Sequence, residues 1–235
     1  MADEITDKLI IQVGEVSVSF DTYSLEKLSN TTKTDLFISI KPEKANELKN
    51  ISTNFDASRP IYSVKFTSGN TNIFLNTIIT LPYTMKNGEN PNCIIVYGID
   101  SKGKTTIISN GTYNSTDKSV SFVSDVNSTY AIGYNPKFFT DVPSSFWGKS
   151  AIEFAAARGL LNGMGNGVYE PNRSVTNAEF IQMIWNMLKT PIVSMNPNLE
   201  NVNQDSWYYN AITSLNEAGS LKYKKYKRQK DDIYS

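Results

Sequence analysis

Between residues 10 and 134 the apolar positions come in short runs, several of them alternating with polar ones. Ile10-Ile11-Gln12-Val13 and Val16-Ser17-Val18-Ser19-Phe20 flank Gly14-Glu15. The second run has the period of two that puts every other side chain on one face of a strand. Asp35-Leu36-Phe37-Ile38-Ser39-Ile40 alternates likewise, and Ile61-Tyr62-Ser63-Val64-Lys65-Phe66 is a further strand closed by Ser68-Gly69-Asn70. Tyr23 to Leu28 predicts one short helix. From Cys93 the pattern is a meander: Ile94 to Ile99, a turn at Asp100-Ser101-Lys102-Gly103, Thr105 to Ser109, and a turn around Asn114 to Lys118. Val120 to Val123 and Tyr130 to Tyr134 complete it. Asp, Asn and Gly fill these turns because they tolerate left-handed backbone or cap it. Strands spaced about ten residues apart predict an all-β, sandwich-like domain over residues 1–135.

The period lengthens after Asn135-Pro136. Trp147, Ala151, Ile152 and Ala155 share one helical stripe, which places Trp147, and likewise Trp207 further on, in a core. Pro143-Ser144-Ser145 supplies a helix start, and Gly159 a C-terminal glycine. A second helix runs from about Asn177 to Lys189, apolar at Phe180, Ile181, Ile184, Trp185 and Leu188, and Pro191 stops it. Thr176 and Glu179 have the spacing of a capping box, worth about 1 kcal/mol without any ligand. Gly163, Gly165 and Gly167 look superficially like a phosphate loop, but no strand precedes them and no Gly-Lys-Ser/Thr follows. They predict the turn between two helices.

Superimposed on this pattern is a repeat. Val142, Trp147, Ala151, Ile152, Gly159 and Leu161 recur as Val202, Trp207, Ala211, Ile212, Gly219 and Leu221, each 60 positions later. A fixed period of this size marks a supersecondary unit that stacks on copies of itself. The second copy spans 200–221 and stops halfway, giving a multidomain layout of 1–135, 138–190, 200–221 and a basic stretch at 222–235. A helix alone over 205–219 would be marginal in water, so it either packs on the first copy or frays.

Charge narrows the partners. The formal net charge is zero, but residues 222–235 carry +4 and the rest −4. No basic stripe crosses the body, which argues against nucleic acid. No apolar run approaches roughly 18 residues, so no membrane span is predicted. Met1-Ala2-Asp3-Glu4 lacks the basic and apolar regions of a secretory signal. With no histidine in the chain there is no Ser-His-Asp or Cys-His pair and no histidine metal ligand. Cys93, the single cysteine, sits beside Ile94-Ile95-Val96 and reads as a buried small hydrophobe. Neither a catalytic constellation nor a cofactor or metal site is marked, and the expectation is a non-enzymatic chain.

One family pattern fits the second half. Phe139-Thr140-Asp141-Val142-Pro143, Trp147, Ala151-Ile152 and Gly159-Leu160-Leu161-Asn162-Gly163 occur in order. They lead into Gly165-Asn166-Gly167-Val168-Tyr169-Glu170-Pro171 and Val175-Thr176-Asn177-Ala178-Glu179-Phe180. This strongly resembles the S-layer homology repeat of bacterial surface proteins. The resemblance implies α-helical helix–loop–helix units that commonly act in threes. It also implies a place on the cell wall or extracellular surface. The implied partner is an anionic secondary cell-wall polysaccharide, a peptidoglycan-linked polymer often bearing pyruvyl ketals. A ketal carboxylate suits a helix N-terminus or an arginine fork, and a tryptophan can cover a sugar face. The implied polymer contacts are Trp147, Gly163, Asn166, Arg173, Thr176, Asn177 and Glu179. Two positions depart from the family: Asn177 stands where Thr-Arg-Ala-Glu has arginine, and Asn166 where Gly-Asp-Gly has aspartate. Arg158, Arg173 and Lys149 are the cations near enough to compensate. Self-association of chains would restore three units.

Residues 61–134 resemble, more loosely, a β-rich module that often precedes such repeats in Gram-positive surface proteins. The supporting segments are Arg59-Pro60-Ile61-Tyr62, Leu81-Pro82-Tyr83, Val96 to Asp100 and Tyr130 to Tyr134. Two alternatives to plain anchoring follow. One is an adhesive, carbohydrate-binding sandwich with Tyr83, Tyr97, Tyr113 and Tyr134 as a glycan platform. The other is the C-terminal remnant of a surface glycan-degrading enzyme. The switch after Leu221 to Lys/Tyr-rich sequence suggests a shifted reading frame or a polybasic tail drawn to anionic polymer.

Overall fold

The computed structural model describes residues 8–31, 35–48, 51, 56, 58–124, 127–188 and 202–219. The chain divides into two compact units, Met1–Lys137 and Phe138–Ser235. Pro191, Leu221 and the 222–235 stretch discussed above lie outside the described residues.

In the first unit, β1 (Leu9–Val13) and β2 (Val16–Phe20) form a hairpin that turns at Gly14, whose φ of 62° needs no Cβ. A helix, α1 (Thr22–Thr31), follows, then β3 (Leu36–Glu43), β4 (Ile61–Ser68), β5 (Thr71–Asn72) and β6 (Thr77–Pro82). The meander supplies β7 (Ile94–Ile99), β8 (Thr105–Ile108), β9 (Thr112–Asn114), β10 (Ser119–Ser124) and β11 (Ser128–Tyr134). These make two antiparallel sheets, ordered β1-β2-β6-β10-β9 and β3-β4-β11-β7-β8, with β5 paired to β4. Both sheets turn alternate side chains inward to one shared core. Val18, Phe20, Ile79, Leu81 and Phe122 come from the first, and Val64, Phe66, Ile94, Val96 and Ile132 from the second. Ring pairs cross between the sheets, Phe20 with Phe66 at 5.5 Å and Phe122 with Tyr130 at 4.8 Å. Alternation and turn chemistry therefore predict this unit well, and Cys93 is fully buried as expected.

Strand β6, in the middle of the first sheet, is the element the pattern hides. Thr77 points inward and is 2 % exposed, while the apolar Ile78 faces out, so polarity does not follow the alternation. Of the four tyrosines read as a glycan platform, Tyr97 is half-buried against the Ile61, Ile99 and Ala131 cluster. Tyr83 is buried and meets Tyr113 edge-on at 6.1 Å, and Tyr113 and Tyr134 pack against the core.

At one end of this unit a buried ion-pair clasp joins segments far apart in sequence. The Arg59 guanidinium donates to the Tyr83 hydroxyl and to Glu89, and pairs with Asp56 at 3.0 Å. It also lies over the rings of Tyr83 and Tyr134, 5.7 and 5.6 Å from their centres. Tyr83 donates in turn to Glu89 at 2.7 Å, and burial with that carboxylate beside it pushes the phenol up to about 12. Beyond Tyr134 the chain leaves with Asn135 N–H bonded to the Cys93 carbonyl at 2.9 Å.

The second unit has three described helices, α2 (Lys149–Ala157), α3 (Asn177–Leu188) and α4 (Tyr209–Glu217). Helix α2 starts later than the Pro143-Ser144-Ser145 signal suggests. Turn bonds from Phe146 N–H to Pro143 O and from Lys149 N–H to Phe146 O hold the chain out of the helix until Gly148. This overturns the core placement of Trp147 and Trp207. Each lies just before its helix, and they are 91 % and 61 % exposed. The buried face of α2 is Ile152, Glu153, Ala156 and Ala157, with Ala151 outward. Its C-terminus behaves as read: Gly159 sits at φ 67°, with Leu160 N–H on Ala155 O and Gly159 N–H on Ala156 O, a Schellman cap.

Helix α4 packs rather than frays. Val202, Tyr208 and Ile212 bury against Ala178 of α3, with Ile181 and Tyr209 at the margin. Five consecutive residues, Ala211 to Leu215, are buried. The 60-residue offset reappears as matched geometry: Ile152 and Ile212 both bond back four residues, and Gly159 and Gly219 share a positive φ.

Candidate functional site

The segment between α2 and α3 builds one wall of a pocket. Met164 N–H bonds to Val168 O at 2.8 Å and Val168 N–H to Gly165 O at 3.0 Å, closing a tight loop through Asn166 and Gly167, both at positive φ. Asp141 pins this loop from outside. Its carboxylate accepts the N–H groups of Tyr169 at 2.9 Å and Glu170 at 2.6 Å. Desolvation would raise the Asp141 pKa, but these two bonds outweigh it and hold the group ionised below the usual range. Gly163 is required by space: a Cβ there would lie 2.6 Å from the Val168 carbonyl and 2.5 Å from the Phe139 ring.

The start of α3 supplies the polar side. Thr176 Oγ1 accepts from Glu179 N–H at 3.3 Å, while Glu179 Oε2 accepts from Thr176 N–H and Oγ1–H, both at 2.9 Å. This is the capping box the spacing predicts. The other Glu179 oxygen takes Arg173 Nη2 at 2.5 Å, and Arg173 Nε pairs with Glu170 at 3.1 Å. Trp207, just ahead of α4, lines the pocket as well. The result is a cavity of about 230 Å³ lined by Leu160 to Met164, Tyr169, Arg173, Glu179, Gln182, Asn186 and Trp207.

Of the residues proposed from sequence, Gly163, Arg173 and Glu179 meet in this pocket, and Trp147, Asn166, Thr176 and Asn177 are not among its lining. Thr176 serves the cap and Asn166 the loop bend. The other candidate cations are engaged elsewhere. Arg158 is buried over the Phe154 ring, 3.4 Å from its centre, and Lys149 pairs with Glu153 at 2.8 Å. Trp207, Gln182 and Asn186 escaped the sequence reading, although Trp207 is the phase-mate of Trp147. Among the described residues no acidic or cysteine cluster is suited to a metal ion, and no helix is long and apolar enough to cross a membrane.

Arg173 foremost, with the Thr176 N–H, draws the Glu179 pKa from its ordinary 4.5 to about 2. A depressed carboxylate contributes stability above its unfolded pKa and loses it as pH falls through the folded one. The second unit should therefore soften between about pH 4.5 and 2. All three tryptophans lie in this unit, so fluorescence-monitored melting reads it selectively. Glu179→Gln should flatten that acid slope, and an unchanged slope would assign it to another group.

Residues 138–181 match the S-layer homology domain family. The chain carries an S-layer homology domain. Most of the chain is similar to an amylopullulanase of Thermoanaerobacterium thermosulfurigenes, 24 % identical over 91 % of this chain and 11 % of that protein. An endo-1,4-beta-xylanase A of Thermoanaerobacterium saccharolyticum is 40 % identical over 35 % of this chain and 7 % of its own length. The S-layer protein sap of Bacillus anthracis is 32 % identical over 37 % of the chain and 11 % of its own length. The chain thus spans about a tenth of these relatives. No solved structure matches it at a significant level. An S-layer homology domain implies cell-wall anchoring of a surface protein, and it is not a catalytic domain.

Proposed function

We propose that the chain is a non-enzymatic anchor that holds a surface protein non-covalently on an anionic, pyruvylated secondary cell-wall polysaccharide. Its helix–loop–helix repeat and the half-repeat behind it act as one binding element. The observation that carries this reading is the pocket itself. The first repeat provides the loop and α3 wall, and Trp207 from the next half-repeat provides the cover. An indole facing a cavity rimmed by amides and carboxylates is suited to a sugar ring, with the apolar face on the tryptophan and hydroxyls on the polar groups.

Co-sedimentation of the chain with Gram-positive cell walls tests this, using walls before and after stripping of the secondary polymer. Binding should be lost on stripping, and Trp207→Ala should weaken it by about tenfold or more, the scale of an aromatic anchor covered by its ligand. Equal binding to stripped walls would refute the polymer reading.

A second reading has its own support. Similarity to the amylopullulanase runs through both units rather than the S-layer homology domain alone. On that reading the β-rich unit and the anchor together form the wall-attached portion of a glycan-degrading surface enzyme.

A further inference from the structure

Resting on the anchoring reading, we propose that this pocket accepts an uncharged sugar residue of the wall polymer and turns away the residues that bear acidic substituents. Among the described residues, the charged side chains lining it are Glu170, Arg173 and Glu179, a net charge of −1. A free carboxylate entering the cavity would meet two carboxylates and one guanidinium.

The guanidinium is also already committed. Arginine has five N–H donors. Arg173 spends Nε on Glu170, one Nη1 hydrogen on the Ser174 carbonyl at 3.1 Å, and the Nη2 pair on Glu179 and the Met164 sulfur at 3.2 Å. One donor remains, so the two-pronged grip that makes arginine a good carboxylate receptor is not on offer. A second prong on Nη2 is freed only by displacing the Met164 sulfur or by pulling Arg173 from Glu179, whose other oxygen holds the Thr176 cap. An anion would be seated at the expense of one of these contacts.

The same groups suit a neutral polyol. Glu170 and Glu179 keep lone pairs that accept sugar hydroxyls. Asn162, Gln182 and Asn186 add amides at the rim, and Trp207 with Leu161 and Met164 gives apolar cover. The cavity of about 230 Å³ lies below the range of about 300–1,000 Å³ typical of drug-sized ligands, as befits a single sugar ring.

The test is calorimetric titration of the full chain with purified polymer bearing pyruvyl ketals, and with the same polymer after mild-acid removal of the ketals. Affinity should change by less than about threefold on ketal removal, and by less than about threefold between 50 and 500 mM salt, because no ligand charge is being screened. A loss of about tenfold or more on ketal removal would overturn the inference and leave the anchoring reading standing. Binding to neither polymer would overturn both. Glu170→Gln supplies a separate check. It releases Arg173 Nε and should create a salt-sensitive preference of about fivefold or more for the ketal-bearing polymer. No such preference would show that Glu170 does not set the selection.

Discussion

Replacing Arg59 by methionine should destabilise the β-rich unit by about 3–5 kcal/mol, the usual cost of removing one partner of a buried ion pair. Methionine fills much of the same volume, so the loss is electrostatic. Glu89, whose side chain is 6 % exposed, would stay buried with its charge uncompensated by the guanidinium, and the Tyr83 hydroxyl would lose its donor. The segments around Asp56, Tyr83 and Glu89 would lose their common tie, along with the cation held over Tyr134. Lysine should rescue little, since a single ammonium cannot reach Asp56, Tyr83 and Glu89 together. Urea-dependent hydrogen exchange of β7 and β11 peptides in the full chain measures the change. Pairing Arg59→Met with Glu89→Leu should recover part of it, because the stranded charge is then gone. A single-variant loss below about 1 kcal/mol would mean that water reaches the clasp and that it is not a buried pair in solution.

Ile212→Ala should cost the second unit about 2–5 kcal/mol, as buried isoleucine truncations do. Ile212 is 5 % exposed and packs where α4 meets α3, in the cluster with Ala178, Val202 and Tyr208. The loss should therefore appear in tryptophan-monitored melting and leave the β-rich unit's exchange pattern alone. It should also weaken polymer binding at temperatures where the unit remains folded, because α4 carries Trp207 to the pocket. A melt unchanged by Ile212→Ala would show that α4 contributes no stability through this contact.

The clasp and the pocket show why parts of this protein are legible in sequence and parts are not. The strands follow from alternation where polarity and burial agree, as in β2 with Val16, Val18 and Phe20 inward. They disappear where the two disagree, as in β6 with an inward Thr77 and an outward Ile78. The capping box and the Gly159 cap depend on residues within a turn of one another, so spacing reveals them. Besides Asp56, Arg59 finds its buried partners, Tyr83 and Glu89, 24 and 30 residues away, and nothing local marks it as buried. The tryptophans misled because a residue four before Ala151 looks helical, whereas turn bonds delay the helix to Lys149. Arg173, Gly163 and Glu179 could be named from the motif, but Trp207 joins them only because α4 folds back onto α3.

Strand β11 is the last element before the junction at Asn135, and it lies inside its sheet, bonded to β4 on one side and β7 on the other. Tension drawn along that strand meets antiparallel bonds that run across the direction of pull. They strain together on both edges instead of opening one after another. On the anchoring proposed above, a load passed through Asn135 would reach the β-rich unit at a shear joint, whose lifetime is set by the rate of strand rupture rather than by equilibrium stability.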